Sequence, residues 1–87
     1  MVSQKVVIIN PTGLHLRPAG VLCNEAMKFS SKVTFKHGND VSNAKSVLSV
    51  LGACIKYGSE IELICEGEDE EAALEAMVKI VESGLGE

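Results

Sequence analysis

One histidine in this chain stands where it could exchange a chemical group with another molecule. His15 lies between a turn-forming stretch, Asn10-Pro11-Thr12-Gly13, and an apolar-periodic run that reads as a helix; Arg17 follows two residues later. The first N–H groups of a helix have no internal partners, and together with the helix dipole they form an anion site. Pro18 lacks an N–H, so the donors must come from around Leu16 and Arg17. The Arg17 guanidinium adds a planar fork that suits phosphate oxygens. An imidazole attacks phosphorus only when neutral, and the positive end of a helix disfavours the imidazolium. The same donors would then hold a dianionic phosphoryl group after transfer. A turn rich in Pro, Thr and Gly would keep the ring exposed. Position alone leaves a second reading open, in which His15 merely caps the helix or fills the turn.

Ser46 is the next candidate. It precedes a short apolar run, where its hydroxyl can cap a helix, an interaction worth about 1 kcal/mol. Val47, Leu48, Val50 and Leu51 cannot all point inward from so short an element. Val50 and Ala53 are assigned to the core. Val47, Leu48 and Leu51 then form an apolar patch beside His15, with Gly20 leaving room for an approaching partner; ordinary core packing is the competing reading. His37 sits beside a hairpin turn without any motif and reads as a surface residue, whereas Met27 and Met77 read as packing residues. The acids from Glu68 to Glu71 complement a helix N-terminus, because consecutive side chains there cannot converge on one ion. Cys23, Cys54 and Cys65 are odd in number and lack C-x-x-C spacing, so neither a disulfide framework nor a zinc site is expected. All three read as small buried hydrophobes. No metal and no cofactor is implied.

Seven elements must position these residues. Gln4 to Ile9 predicts a strand with Val6 and Ile8 on one face. Ala19, Leu22, Cys23, Ala26 and Phe29 make one helical stripe, ended by Ser30-Ser31. Lys32 to Lys36 predicts a strand with Val33 and Phe35 inward, His37 to Asp40 a tight turn, and Asp40 to Ser42 a return strand. A short helix from Ser46 to about Ala53 follows, then a strand from Glu60 to Glu66 with Ile61, Leu63 and Cys65 inward. Asp69 is placed to cap the last helix, whose buried stripe is Leu74, Met77, Val78 and Val81, and Gly84 and Gly86 close the chain. The order βαββαβα predicts an α+β fold with one four-stranded, antiparallel sheet and three helices on one face.

Length and charge narrow the function. At 87 residues the chain fits one domain, residues 1–87, which buries roughly two-thirds of its unfolded surface and has no room for a deep, walled active site. That favours a binding or carrier role over a self-sufficient enzyme. No apolar run approaches the roughly 20 residues that span a bilayer, and the first residues lack the architecture of a cleavable signal. A cytoplasmic protein is the expectation. Residues 1–57 hold seven of the eight basic side chains against Glu25 and Asp40, a net +5, whereas residues 58–87 hold ten acids against Lys79, a net −9. Without aromatic platforms or an Arg cluster this does not read as nucleic-acid binding. The basic side suits a phosphoryl group or an acidic partner.

The segment Gly13-Leu14-His15-x-Arg17-Pro18-Ala19, with Asn43-Ala44-Lys45-Ser46 ahead of an apolar helix and the Gly-Glu-Asp-Glu-Glu-Ala-Ala run at 67–73, resembles the HPr family. These are the histidine-containing phosphocarriers of the bacterial phosphoenolpyruvate-dependent sugar phosphotransferase system, and the resemblance covers essentially the full length. It implies an open-faced β-sandwich. It implies that His15 is phosphorylated on Nδ1 by Enzyme I and passes the group to the A component of a sugar permease. Arg17 and the backbone at Leu16 and Arg17 would stabilise that group. Ser46 would be the regulatory site, phosphorylated in Gram-positive members by HPr kinase/phosphorylase and linked to a catabolite-control repressor. Gly20, Val47, Leu48 and Leu51 occupy the family's docking positions. Leu16 departs from the usual alanine, which leaves its backbone N–H unaffected but alters packing against partners. The implied protein is a monomeric covalent carrier rather than an independent enzyme. The alternative is a small-ligand regulatory domain of ferredoxin-like arrangement, which explains the element order but leaves the His-x-Arg-Pro placement without a purpose.

Overall fold

The strictest alternation in the sequence, Glu60 to Glu66, forms the strand that organises the sheet. In the computed structural model, which describes residues 1–87, the elements are β1 (Val2–Val7), α1 (Leu16–Ala26), β2 (Lys32–His37), β3 (Asp40–Asn43), α2 (Val47–Gly52), β4 (Glu60–Glu66) and α3 (Glu70–Glu82). The sheet order is β1-β4-β2-β3, with every pair antiparallel. Register sets Val6 opposite Ile61, Val33 opposite Cys65 and Phe35 opposite Leu63. All six side chains therefore share one face, and all six are buried. The three helices cover that face and complete the core with Leu22, Val50, Met77 and Leu85. Lys5, Lys36, Glu60 and Glu62 line the other face, which antiparallel sheets can leave in water. The architecture is the α+β fold that the sequence pattern predicts, a four-stranded antiparallel sheet with three helices on one face, and so the open-faced sandwich that the resemblance implies.

Several boundaries and stripes differ from expectation. β1 begins two residues early because Val2 still finds a partner in Cys65. Beyond Val7, Ile8 remains tied to the 58–59 segment through Ile8 N–H to the Ser59 carbonyl (2.9 Å) and Gly58 N–H to the Ile8 carbonyl (2.8 Å). β3 runs one residue further than predicted, to Asn43, which pairs with Thr34. α1 stops at Ala26; Phe29 reaches the core from the following turn, whereas Met27 is exposed. One residue past Ala26 is about 100° of helix rotation, enough to carry Met27 off the buried stripe. On α3 the buried residues are Ala73, Met77 and Val81, while Leu74 and Val78 are half-buried on the flank. The small Ala73 side chain lets the helix sit closer to the sheet than a leucine would.

Both ends of α3 use different chemistry from that expected. Asp69 occupies the N-cap position but makes no side-chain cap. Its carboxylate instead accepts from the Ser31 hydroxyl, from Ser30 N–H (3.0 Å) and from Ser31 N–H (2.9 Å), tying the α1–β2 turn to the start of α3. The Glu70 carboxylate reaches back to Gly67 N–H (3.1 Å). At the other end, Gly84 N–H bonds to the Val81 carbonyl and Leu85 N–H to the Ile80 carbonyl, both 3.1 Å, with Gly84 at φ +91°. This is a Schellman closure, and its apolar member, Leu85, is fully buried. The two glycines do more than close the chain: they return a leucine to the core.

The Asp69 contacts carry a pH dependence. The Ser31 hydroxyl foremost, then Ser30 N–H, lowers the Asp69 carboxyl from 3.8 to about 2. A folded-state value below the unfolded one contributes stability that is present above the unfolded value and lost as pH falls through the folded one. Thermal melts across that window should show Tm dropping between about pH 4 and pH 2. Asp69→Asn should melt lower than the parent at neutral pH and show a flatter profile in acid. Parallel profiles would show that the contacts carry no charge preference.

Candidate phosphoryl-acceptor site

The loop that delivers His15 is built from Asn10. Its carbonyl accepts Gly13 N–H (3.1 Å) and its side-chain amide donates to the Gly13 carbonyl (2.5 Å), so one residue closes the turn twice. Asn10 is 2% exposed. Gly13, at φ +65°, lies flat against the segment after α2; a Cβ there would stand 2.5 Å from the Ile55 carbonyl oxygen and 2.8 Å from the Lys56 Cα. Leu14 N–H then bonds to the Ile55 carbonyl (3.0 Å), and the Leu14 side chain is buried. With Leu14 pointing in, His15 points out. Gly13→Ala combines a left-handed penalty with a backbone collision and should cost about 3 kcal/mol in a urea melt. A loss below about 1 kcal/mol would show that the loop yields freely.

His15 is exposed and takes the N-cap position of α1 with extended backbone, its carbonyl accepting Ala19 N–H (2.8 Å). The ring itself caps nothing. Of the two readings open from the sequence, the capping side chain is therefore excluded. The amides of Leu16 and Arg17 donate to no protein acceptor, and buried Pro18 supplies none, so unmet donors begin directly after the imidazole. Arg17 is exposed and enters no ion pair within 4.0 Å. A shallow cavity of about 250 Å³ opens beside the ring, lined by Thr12, Leu14, His15, Leu51, Cys54, Ile55 and Lys56. Cys23 and Cys65 are buried as expected, but Cys54 is exposed at φ +55°. It follows the C-cap of α2, where the chain turns left-handed and its side chain is thrown outward.

The Asn43-to-Ser46 segment is a hydrogen-bonded frame for α2. Ser46 is the N-cap, its hydroxyl accepting Ser49 N–H (3.2 Å). Ser49 Oγ accepts Asn43 N–H (3.0 Å), Asn43 Oδ1 accepts Lys45 N–H (2.9 Å), and Lys45 Nζ donates to the Phe29 carbonyl (2.6 Å). α2 packs beside α1, and Leu51 lines the cavity that opens beside His15. The apolar patch is narrower than predicted. Leu48 is 82% exposed, but Val47 and Leu51 are half-buried, with Leu51 against the core. Val50 is buried and Ala53 only half-buried. Leu16, the residue after His15, is also exposed, at 70%. A Cβ at Gly20 would meet nothing within 4 Å. His37 is exposed on its hairpin, as expected.

Sequence reasoning missed Glu87. Its carboxylate accepts from Thr12 Oγ1 (2.7 Å) and Asn10 Nδ2 (3.2 Å), on the loop that carries His15. The signal was the Gly-Leu-Gly pattern at 84–86, which can fold a chain end back on itself.

Residues 2–83 match a family model described as the PTS HPr component phosphorylation site. The chain belongs to the HPr family. It is 39% identical to the phosphocarrier protein HPr of Lysinibacillus sphaericus over 88 residues, covering all of both chains. It is also 39% identical to the HPr-like protein Crh of Bacillus subtilis over 82 residues, covering 94% of this chain and 96% of the relative. A crystal structure of HPr from Thermoanaerobacter tengcongensis superposes with a TM-score of 0.96 at 39% identity, covering 100% of this chain and 98% of the other. This HPr-family chain is thus a phosphocarrier of the phosphotransferase system. The ferredoxin-like alternative is not favoured: it would place the first strand inside the sheet, whereas β1 here forms an edge. No helix of this HPr-family member is long and apolar enough to cross a membrane.

Proposed function

We propose that His15 accepts a phosphoryl group from Enzyme I charged by phosphoenolpyruvate and passes it to the A component of a sugar permease. The observation that carries this reading is an exposed, uncommitted imidazole immediately ahead of the unmet amides of Leu16 and Arg17. A lone pair on the ring, at Nδ1 by the family pattern, forms the N–P bond as the donor's bond to phosphorus breaks and the donor keeps that electron pair. The group then meets two backbone donors and the Arg17 guanidinium, and no proton needs to move within the site for the bond to form. In this reading the carrier works as a monomer in the cytoplasm.

Leu48 and Leu16 are the exposed apolar contacts of the docking face, with Gly20, Val47 and Leu51 shaping its floor. A small patch with basic neighbours suits brief, fast-exchanging encounters with acidic partners. Ser46 is the regulatory site of this reading, acted on by HPr kinase/phosphorylase and read by a catabolite-control repressor. A phosphate there adds about −1.5 to −2 charges at the start of α2, beside the docking face, while the helix terminus tolerates it.

The test is to incubate the protein with Enzyme I and phosphoenolpyruvate and weigh the product. A gain of one phosphoryl group, lost in acid and retained in base, supports a phosphohistidine. An acid-stable product or none at all refutes the reading.

A further inference from the structure

We infer that Glu87 is a positioning residue for phosphoryl uptake, its side-chain carboxylate locking the Asn10–Gly13 turn in the form that presents His15. The inference rests on the phosphocarrier reading. Its geometry is independent of that reading.

Glu87 lies 72 positions from His15 in sequence yet bonds to both polar side chains of the loop before it. Three successive left-handed residues, Gly84 (φ +91°), Leu85 (φ +54°) and Gly86 (φ +82°), turn the chain back after α3. Burial of Leu85 anchors the return, and Glu87 N–H to the Gly84 carbonyl (3.1 Å) holds it. A left-handed leucine is costly by about 1–2 kcal/mol, so this path is one the fold sustains against local preference.

At the far end of the strap, Glu87 Oε1 takes both donors, Thr12 Oγ1 and Asn10 Nδ2. The Asn10 amide is the group that also closes the turn onto the Gly13 carbonyl. Its Oδ1 is buried without a partner. The amide orientation therefore depends on its two acceptors, the Gly13 carbonyl and Glu87. Without Glu87 the Asn10 amide keeps only the Gly13 carbonyl as acceptor and the Thr12 hydroxyl loses its carboxylate partner, so fewer contacts hold the turn. Only Leu14 separates Gly13, the last residue of that turn, from His15, so a loosened turn is passed directly to the ring. The Thr12 hydroxyl, then the Asn10 amide, holds the Glu87 carboxyl below its ordinary value, so it stays ionised at neutral pH.

Nothing in this role requires Glu87 to touch the phosphoryl group. It acts through Asn10 and Thr12, so an uncharged acceptor of the same shape should serve. Glu87→Ala should lower the second-order rate constant for uptake from Enzyme I about fivefold, the equivalent of one hydrogen bond's worth of loop order. Glu87→Gln, which keeps an acceptor oxygen, should recover most of that loss. Thr12→Val should reproduce part of it, and the double variant Glu87→Ala/Thr12→Val should be no slower than Glu87→Ala alone, because the two act through one contact. Amide hydrogen exchange, read without any partner, should show Gly13 protection falling about fivefold in Glu87→Ala while β4 amides are unchanged.

Failure of the parent to label at all would overturn the phosphocarrier reading and this inference with it. A labelling parent with equal uptake and equal Gly13 protection in Glu87→Ala would overturn the inference alone. Loss of uptake in Glu87→Gln as large as in Glu87→Ala would also overturn it, by making the charge rather than the contact responsible.

Discussion

A His15→Ala variant is expected to fold as the parent does and to take up no phosphoryl group. The fold should survive because the ring is exposed and caps nothing, so the helix loses no side-chain bond. Surface substitutions of that kind usually change stability by no more than about 0.5 kcal/mol. Uptake should vanish because the only other histidine, His37, is at the β2–β3 hairpin, away from the start of α1. A melt reads the first part; mass spectrometry after incubation with Enzyme I and phosphoenolpyruvate reads the second. A parent-like, acid-labile label on His15→Ala would place the acceptor elsewhere and remove the basis for the whole site.

Arg17→Ala should slow uptake about a hundredfold with little change in melting temperature. Arg17 is exposed and unpaired, so its removal leaves no buried charge behind. Its value is deferred to the moment when negative charge arrives beside the Leu16 and Arg17 amides. A donor aimed at developing charge in a transfer reaction is worth about 10²–10³ in rate. Arg17→Lys keeps the charge but not the fork and should recover only part of the rate. Quench-flow transfer from charged Enzyme I measures both variants. Parent-like rates for Arg17→Ala would leave the backbone amides as the sole stabilisers.

The apolar patch on α2 shows how far a pattern reaches. α2 is six residues long, and periodicity alone cannot decide which flank of so short a helix is covered. Val50 was legible as core. The half-burial of Val47 and Leu51 depends on how closely α2 approaches α1, which no local rule contains. Leu16 was legible as an unusual residue, and the structure leaves its side chain exposed. Cys54 was misjudged for a related reason: burial statistics for cysteine say nothing about a left-handed residue after a helix cap.

Asp69 offers the complementary case. A carboxylate before an acidic, apolar-periodic run is a sound N-cap expectation, and the helix does start there. Its side chain is nevertheless drawn to Ser30 and Ser31, because three donors from the α1–β2 turn outbid one or two from its own helix. Glu70 stays in the first turn, as expected, and also accepts from Gly67 N–H.

From the chain by itself came the strand and helix order, the inward faces of β2 and β4, the turn before His15, the cap at Ser46 and the chemistry expected of an imidazole at a helix start. These are local matters, set by side-chain period, by turn residues and by unmet amides within a few positions. Tertiary structure alone decided the strand order, the narrowness of the apolar patch, the exposure of Cys54 and the meeting of Glu87 with Asn10 and Thr12. Such contacts join residues far apart in sequence, and their geometry follows from how the helices pack on the sheet rather than from any neighbouring residue.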